Sequence, residues 1–258
     1  MIDLCKRFGI KDTVSEPATS TLFMLYGIRV QLKMDIRSKT LLVTCYVVPL
    51  LFFAIMGGIF TSLMPEAKNT LIQSMTVMGV SMGAFIGVPP SMVEVYGTDI
   101  KKMYIANGIP LCFGVITLVV SAFIHLMIMS MIIFTLAPIV FHATIPSNIP
   151  LYFITLALFV IVSLAISCVL GLAVKNQAKL TMYSQVVFLP SIMLSGIMFS
   201  AELLPNFLES IGKLFPVTWG YTLLIQKNID ISTFLPLLLI LAISVFASMQ
   251  LLKKIRSE

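Results

Sequence analysis

Long runs without Asp, Glu, Lys or Arg dominate this chain of 258 residues. Six of them, at residues 40–64, 71–93, 111–138, 151–174, 180–199 and 231–252, can each cross a bilayer as a helix. A hydrocarbon core of about 30 Å takes about 20 apolar residues. The runs lack strict alternation and are too long for barrel strands. The pattern therefore predicts an all-α integral membrane protein whose six transmembrane helices occupy residues 40–252.

The polar positions between the runs have patterns of their own. Residues 1–20 are polar, contain Pro17, and read as a flexible tail. In residues 21–39, Leu25, Ile28, Leu32 and Ile36 recur at helical spacing while Arg29, Lys33 and Arg37 form a second row. This predicts an amphipathic interfacial helix suited to the headgroup layer, or else a charged stop before the first span. Residues 253–258 form a short basic tail. In the loop 94–107, Thr98 can cap a short helix running to Ala106, with Asp99 in its first turn and Gly108 past its end. Such a helix either links two spans or serves as a docking knob. Between Pro205 and Pro216, Phe207, Leu208 and Ile211 continue a helical spacing that starts at Leu204. They predict a short outer re-entrant helix, with Trp219 and Tyr221 at interfacial depth.

Within the second run, Gly79, Gly83 and Gly87 mark one helical face where another backbone can approach closely. The partner is either a neighbouring helix or a second subunit. Pro89 and Pro90 remove backbone donors and predict a kink or an end there.

Composition excludes a soluble globule. Hydrophobic residues make up 59% and charged residues 11%, against about 45–50% and about 25% in soluble domains. The charges also orient the chain. With the N-terminus in the cytoplasm, 14 of the 17 Lys and Arg residues fall inside, as the positive-inside rule requires. Both termini are then cytoplasmic, and the net charge of +6 reflects topology and anionic membrane lipid rather than nucleic acid. Residues 1–39 have no compact apolar region ending in a small-residue cleavage site, so no cleaved signal peptide is expected. Cys5, Cys45, Cys112 and Cys168 avoid the outer loops and have no metal-site spacing.

Chemistry within the spans is sparse. None contains Asp, Glu, Lys or Arg, whereas ion-driven carriers place ionisable groups there. His125, near the middle of the third span, is the one candidate, as a packing residue or a proton relay. No Ser-His-Asp, Asp-Asp or His-Glu-x-x-His arrangement lies at span depth, and no phosphate loop occurs. No catalytic, cofactor-binding or metal residue is expected in this chain, and uphill transport would need energy from another polypeptide.

Several stretches then resemble a known family. The inner loop runs Glu94-x-x-Gly97-Thr98-x-x-x-Lys102-Met103-Tyr104 and then Pro110. The fifth span ends Leu194-Ser195-Gly196-Ile197-Met198-Phe199, followed by Leu204-Pro205-x-x-Leu208 and Pro216-x-Thr218. With the amphipathic helix before the first span, the whole chain resembles the six-span permease subunits of type-2 ATP-binding-cassette exporters.

The resemblance implies a division of labour. ATP and Mg would be handled by a separate ATPase subunit, and a second permease, identical or different, would complete a bacterial inner-membrane exporter. The loop would be a coupling helix placing Glu94, Tyr96, Gly97, Thr98, Lys101 and Lys102 at the ATPase. The cavity between permeases would be lined by the first, second and fifth spans, with Phe52, Met56, Met75, Met78, Met82, Phe188, Met193 and Met198 as candidates. Flexible thioethers suit a promiscuous apolar site, so a drug, lipid or peptide is the expected cargo. A polysaccharide, or ion-coupled secondary transport, is the alternative.

Overall fold

The computed structural model describes residues 17–198, 205–226 and 230–257. The chain begins with α1 (Pro17–Arg37), α2 (Lys39–Leu63), α3 (Leu71–Tyr96) and the short α4 (Ile100–Ala106). It continues through α5 (Leu111–Phe141), α6 (Ile149–Ala173) and α7 (Gln177–Met193). The short α8 (Asn206–Gly212) and α9 (Pro216–Ile225) precede a last long helix, α10 (Ile231–Ser257). No strand occurs among the described residues.

Among the described residues, α2, α3, α5, α6 and α10 are long and apolar enough to cross a membrane. The fifth predicted span, residues 180–199, takes a different form. Its helix α7 starts earlier, at Gln177, where the Asn176 side chain caps it by accepting from Ala178 N at 2.9 Å and Lys179 N at 3.2 Å. It also stops earlier, at Met193. Beyond Pro190, the chain turns through Gly196 at φ 83°, a left-handed conformation that favours glycine. The Ser195 hydroxyl donates to Ile192 O at 2.7 Å inside that turn. Seventeen residues rise only about 26 Å, short of the hydrocarbon thickness.

The bundle is built around α3. Eighty-nine per cent of its apolar stretch is buried, against 22% for α2 and 11% for α10. Helices α2, α5, α6, α7 and α9 all pack on it. Such a helix meets little lipid, so its polar side chains must find partners in the protein. Thr76 Oγ1 accepts from the Tyr152 hydroxyl of α6 at 2.9 Å, and the Ser74 hydroxyl donates to the Tyr221 oxygen of α9 at 3.0 Å. Residues Gly83–Gly87 wind as a π-helical turn. The Ala84 carbonyl in that turn accepts from the Ser167 hydroxyl at 2.7 Å.

Basic residues gather at one end of the bundle: Arg29, Lys33, Arg37 and Lys39 around the α1–α2 joint, Lys101 and Lys102 in α4, and Lys175 and Lys179 around the start of α7. At the opposite end the α2–α3 and α5–α6 loops are tied together. Thr144 N donates to Lys68 O at 3.0 Å and its hydroxyl to Asn69 Oδ1 at 3.0 Å.

Helix α1 begins at Pro17, so residues 17–20, read from the sequence as tail, are helical. It lies against α5. Phe23 and Phe113 stack with ring centroids 4.7 Å apart, a β-carbon on Gly27 would strike Phe113, and Asp35 accepts from Ser121. From Gly27 to Asp35 the contact moves from Phe113 to Ser121, eight residues along each helix, so α1 runs beside the first part of α5. Ile28 and Leu32 are half-buried, whereas Leu25 and Ile36 of the predicted apolar row are 61% and 59% exposed. The row splits because the face turned to α5 is Gly27, Gln31 and Asp35, not the most apolar one. Arg29, Lys33 and Arg37 are exposed together with Leu22, Tyr26 and Met34.

Candidate functional site

The basic end carries a projecting element between α3 and α5. Helix α3 closes at Tyr96, whose hydroxyl donates to Leu111 O at 2.5 Å. Its ring and that of Tyr104 sit on Gly114, where a β-carbon would come 2.7 Å from Tyr96 Oη and 3.0 Å from Tyr104 Cε2. Both ends of the α4 segment are thus anchored on the first turn of α5. Thr98 turns the chain into α4, its hydroxyl donating to Glu94 O at 2.6 Å and accepting from Ile100 N at 3.4 Å. The exit runs through Gly108 at φ 66°, and Ile109 N donates to Tyr104 O at 2.8 Å, which satisfies carbonyls at the helix end.

Gly97 has an ordinary φ of −87°; what it supplies is space. A β-carbon there would lie 2.7 Å from Val93 O and 3.4 Å from Lys175 O. The α3–α4 turn therefore rests on the α6–α7 loop.

No side chain of α4 is buried. Ile100, Met103 and Ile105 are 41%, 63% and 51% exposed, forming an apolar tip. Asp99 and Lys102 pair across its first turn at 2.7 Å, fully in water. The Lys102 ammonium beside it holds the Asp99 carboxyl below the usual range, and Asp99 raises Lys102 in return. An exposed pair of this kind contributes little stability. It leaves α4 with an apolar tip and a self-paired charge.

The sequence-predicted coupling residues divide accordingly. Glu94, Gly97, Thr98 and Lys102 are exposed and Lys101 is half-buried, but Tyr96 is 3% exposed and anchors the loop from inside. The apolar tip was not singled out by sequence reasoning. Its signal was three large apolar side chains in a loop too short and polar to have a core of its own.

Gly79, Gly83 and Gly87 all face helices of this same chain. β-Carbons on them would meet Met129 and Pro49, Leu126 and Cys45, and Cys45 and Thr44 respectively. Helices α2 and α5 thus fill the stripe. In α2 the facing turn, Val43–Val47, is also π-helical. Pro89 and Pro90 lie within continuous helix just beyond the π-turn of α3.

The candidate cavity residues also separate. Met75, Met78 and Phe188 are only 2%, 5% and 5% exposed and belong to the chain's own core. Phe52 and Met193 are 38% and 52% exposed, while Met56, Met82 and Met198 are half-buried. Met198 joins Phe60, Met64, Leu71, Ser74 and Tyr221 around an open cleft of about 660 Å³ at the end opposite α4.

Beside that cleft, α8 starts directly after Pro205 and stands on α9. The Trp219 indole donates to Lys213 O and the Thr218 hydroxyl to Gly212 O, both at 2.7 Å. Leu208 and Ile211 are half-buried and Phe207 is exposed; Leu204 lies outside the described residues.

The chain also buries a carboxylate that sequence reasoning passed over. Asp35 is 5% exposed and accepts from Gln31 Nε2 at 2.8 Å and from Ser121 Oγ at 2.5 Å. His125, the next turn of α5, pairs through Nδ1 with the Tyr46 hydroxyl at 2.7 Å. The signal was available: Asp35 is the one acidic residue between Glu16 and Glu66, in a helix whose other charges are basic.

No curated protein matches the chain. A family model described as ABC-2 type transporter matches residues 24–227, from within α1 to just beyond α9. That match, over most of an all-helical multi-pass membrane fold, places the chain in the ABC-2 type transporter family.

Proposed function

We propose that the chain is the permease subunit of an ATP-binding-cassette exporter in a bacterial inner membrane, driven by a separate ATPase that binds ATP and Mg. The observation that carries this reading is α4: a short helix with an exposed apolar tip, anchored by Tyr96 and Tyr104 to α5 and joined to α3 by the three-residue turn 97–99. The basic end then faces the cytoplasm, as its lysines and arginines require.

The mechanism follows from that linkage. A push on α4 is transmitted to α3, the helix that the rest of the bundle encloses. The π-turns where α2 and α3 meet are places at which a helix can change register without losing its whole hydrogen-bond ladder. ATP-driven closure of the ATPases would give α4 a different contact in each state, and such a difference is what shifts a two-state equilibrium.

A second permease, identical or different, packs on the lipid-facing side of α2 and α7, where Val43, Val47, Leu51, Ile55 and Ile59 form an exposed row at spacing four. Phe52, Met56, Met193 and Met198 then face the path between subunits, and their apolar, flexible side chains favour a drug, lipid or peptide over a polysaccharide.

Ion-coupled transport has one observation in its favour, the buried Asp35 carboxylate. The two readings separate in proteoliposomes holding the permease and its co-purified ATPase. Met103→Asp and Glu94→Lys are expected to abolish ATPase co-purification and substrate-stimulated hydrolysis while leaving the permease folded. Full docking by both variants, or transport that survives a Walker mutation of the ATPase and collapses with an uncoupler, would reverse the assignment.

A further inference from the structure

Helix α1 meets α5 through Gly27 and Asp35, which share one face. At about 100° per residue, Arg29, Lys33 and Arg37 fall in one row on the opposite side. All three are exposed, and among the described residues none makes an ion pair. Lys39, exposed at the start of α2, adds to the positive charge. Asp35 is the one acidic residue between Glu16 and Glu66, and it is turned away to Ser121. No carboxylate of α1 or α2 therefore offsets the row.

Large apolar side chains border the row on both sides and are themselves exposed: Leu25 and Ile36 on one flank, Val30 and Met34 on the other, with Tyr26 among the charges. Water leaves those side chains unburied, and hydrocarbon strands the three cations. The inner headgroup layer suits both, because Lys and Arg reach the phosphates while apolar neighbours stay in contact with acyl chains. The position in the fold agrees. Helix α1 lies beside residues 113–121 of α5, at the basic end, where α2 begins its span at Lys39. The 31 residues of α5 rise about 46 Å, more than a hydrocarbon core of about 30 Å, so its ends stand in the headgroup layers.

We propose that this outward face of α1 is a binding site for anionic phospholipid of the inner leaflet. Phosphate oxygens accept from the Arg29 and Arg37 guanidinium groups, which match them in bidentate pairs, and from the Lys33 ammonium. Acyl chains lie along the apolar flanks. A zwitterionic headgroup carries its own cation, so only a net-negative one neutralises the row. The site is the same whether or not the chain couples to an ATPase.

The test places an indole on this face of the full chain. Trp219, the only native tryptophan, lies in α9, and the chain without Tyr26→Trp supplies its background. Tyr26→Trp protein is reconstituted in phosphatidylcholine nanodiscs carrying a small fraction of brominated phosphatidylglycerol or brominated phosphatidylcholine, which quench only an indole they touch. The phosphatidylglycerol is expected to quench at a mole fraction about tenfold lower or less, a preference that salt weakens because the row is exposed. Each basic residue near an anionic surface is worth about fivefold in affinity. Arg29→Gln, Lys33→Gln and Arg37→Gln should each cut the preference by that factor and together abolish it, while both lipids still quench. Lys68→Gln, at the other end of the bundle, should leave it unchanged. Val30→Trp reports on the same face should Tyr26→Trp disturb α1. Equal quenching by the two lipids with the row intact overturns the proposal. So does quenching by neither, or quenching that a bound ATPase removes, which would give the face to that subunit.

Discussion

Cys45 packs on Gly87: a β-carbon on that glycine would come 3.0 Å from the sulfur and 3.1 Å from Thr44 Oγ1. Both residues lie in π-helical turns, Val43–Val47 and Gly83–Gly87, so the two irregular turns of α2 and α3 meet each other. Neither turn is a defect in isolation. The approach of one against the other requires that no side chain stand between them.

Gly87→Ala sets two effects against each other. Removing glycine's backbone freedom favours the helix by about 0.5–1 kcal/mol, while forcing a methyl into a filled core costs about 1–3 kcal/mol. Overpacking wins, and the variant is expected to lower the melting temperature in detergent. Cys45→Ala should recover part of the loss, a coupling that a double-mutant cycle measures directly. Gly58→Ala, where the nearest atom is Phe141 Cε1 at 3.9 Å, is the neutral comparison. Equal destabilisation by both glycine variants would remove the special status of the π-turn contact.

The Tyr96 hydroxyl offers a second test. Tyr96→Phe keeps the ring on Gly114 but leaves Leu111 O without its donor, for a net cost of about 0.5–1.5 kcal/mol. The bundle should stay folded while amide exchange in residues 100–106 quickens. Gly114→Ala should be worse, since its methyl would displace both Tyr96 and Tyr104. If α4 exchanges at the wild-type rate in both variants, the tyrosines do not hold it.

Periodicity located the long helices because a bilayer-length apolar run has few other ways to satisfy its backbone. It set the end of α7 too late, since the stop at Leu194–Gly196 depends on one left-handed glycine in an otherwise apolar run. The placement of Met75 and Met78 was not legible either: a methionine facing a cavity and one facing a neighbouring helix look alike in sequence. Asp35 shows the converse limit. Spacing placed it on a helix, but only the parallel course of α1 along α5 brings it to Ser121. Helix α4 and its end at Gly108 were legible because those signals act locally, but its N-terminal position falls on Asp99 rather than Thr98 and no side chain caps it.

At the start of α10, the Asp230 carboxylate accepts from Ser232 N at 3.1 Å and from Ser232 Oγ at 2.7 Å. These bonds favour the charged form and hold the carboxyl below its ordinary value. A depressed acid contributes stability above its unfolded pKa and loses it as pH falls through the folded one. Protection of the Ser232–Phe234 amides is therefore expected to be constant from neutral pH down to the ordinary carboxylate range and to drop below it. Asp230→Asn, an equally good cap, should abolish that acid transition. A transition that persists in the variant belongs to some other group.

The last prediction concerns α7, the helix too short to cross an average bilayer unaided. If it and the α8–α9 pair together complete a crossing, then Lys175 at its start and Asn206 beyond its end face opposite sides. In a background with Cys5, Cys45, Cys112 and Cys168 replaced, single cysteines at Glu66, Ser147 and Asn206 should react with an impermeant thiol reagent in intact cells. Those at Lys102 and Lys175 should react only after permeabilisation. The basic end would then be cytoplasmic, as the charge distribution requires. The bilayer would have to thin around α7, or the helix rely on its neighbours, to cover a deficit of about 4 Å. Labelling of Asn206 from the same side as Lys175 would mean that α7 enters and returns without crossing, leaving five crossings and opposite sides for α1 and the end of α10.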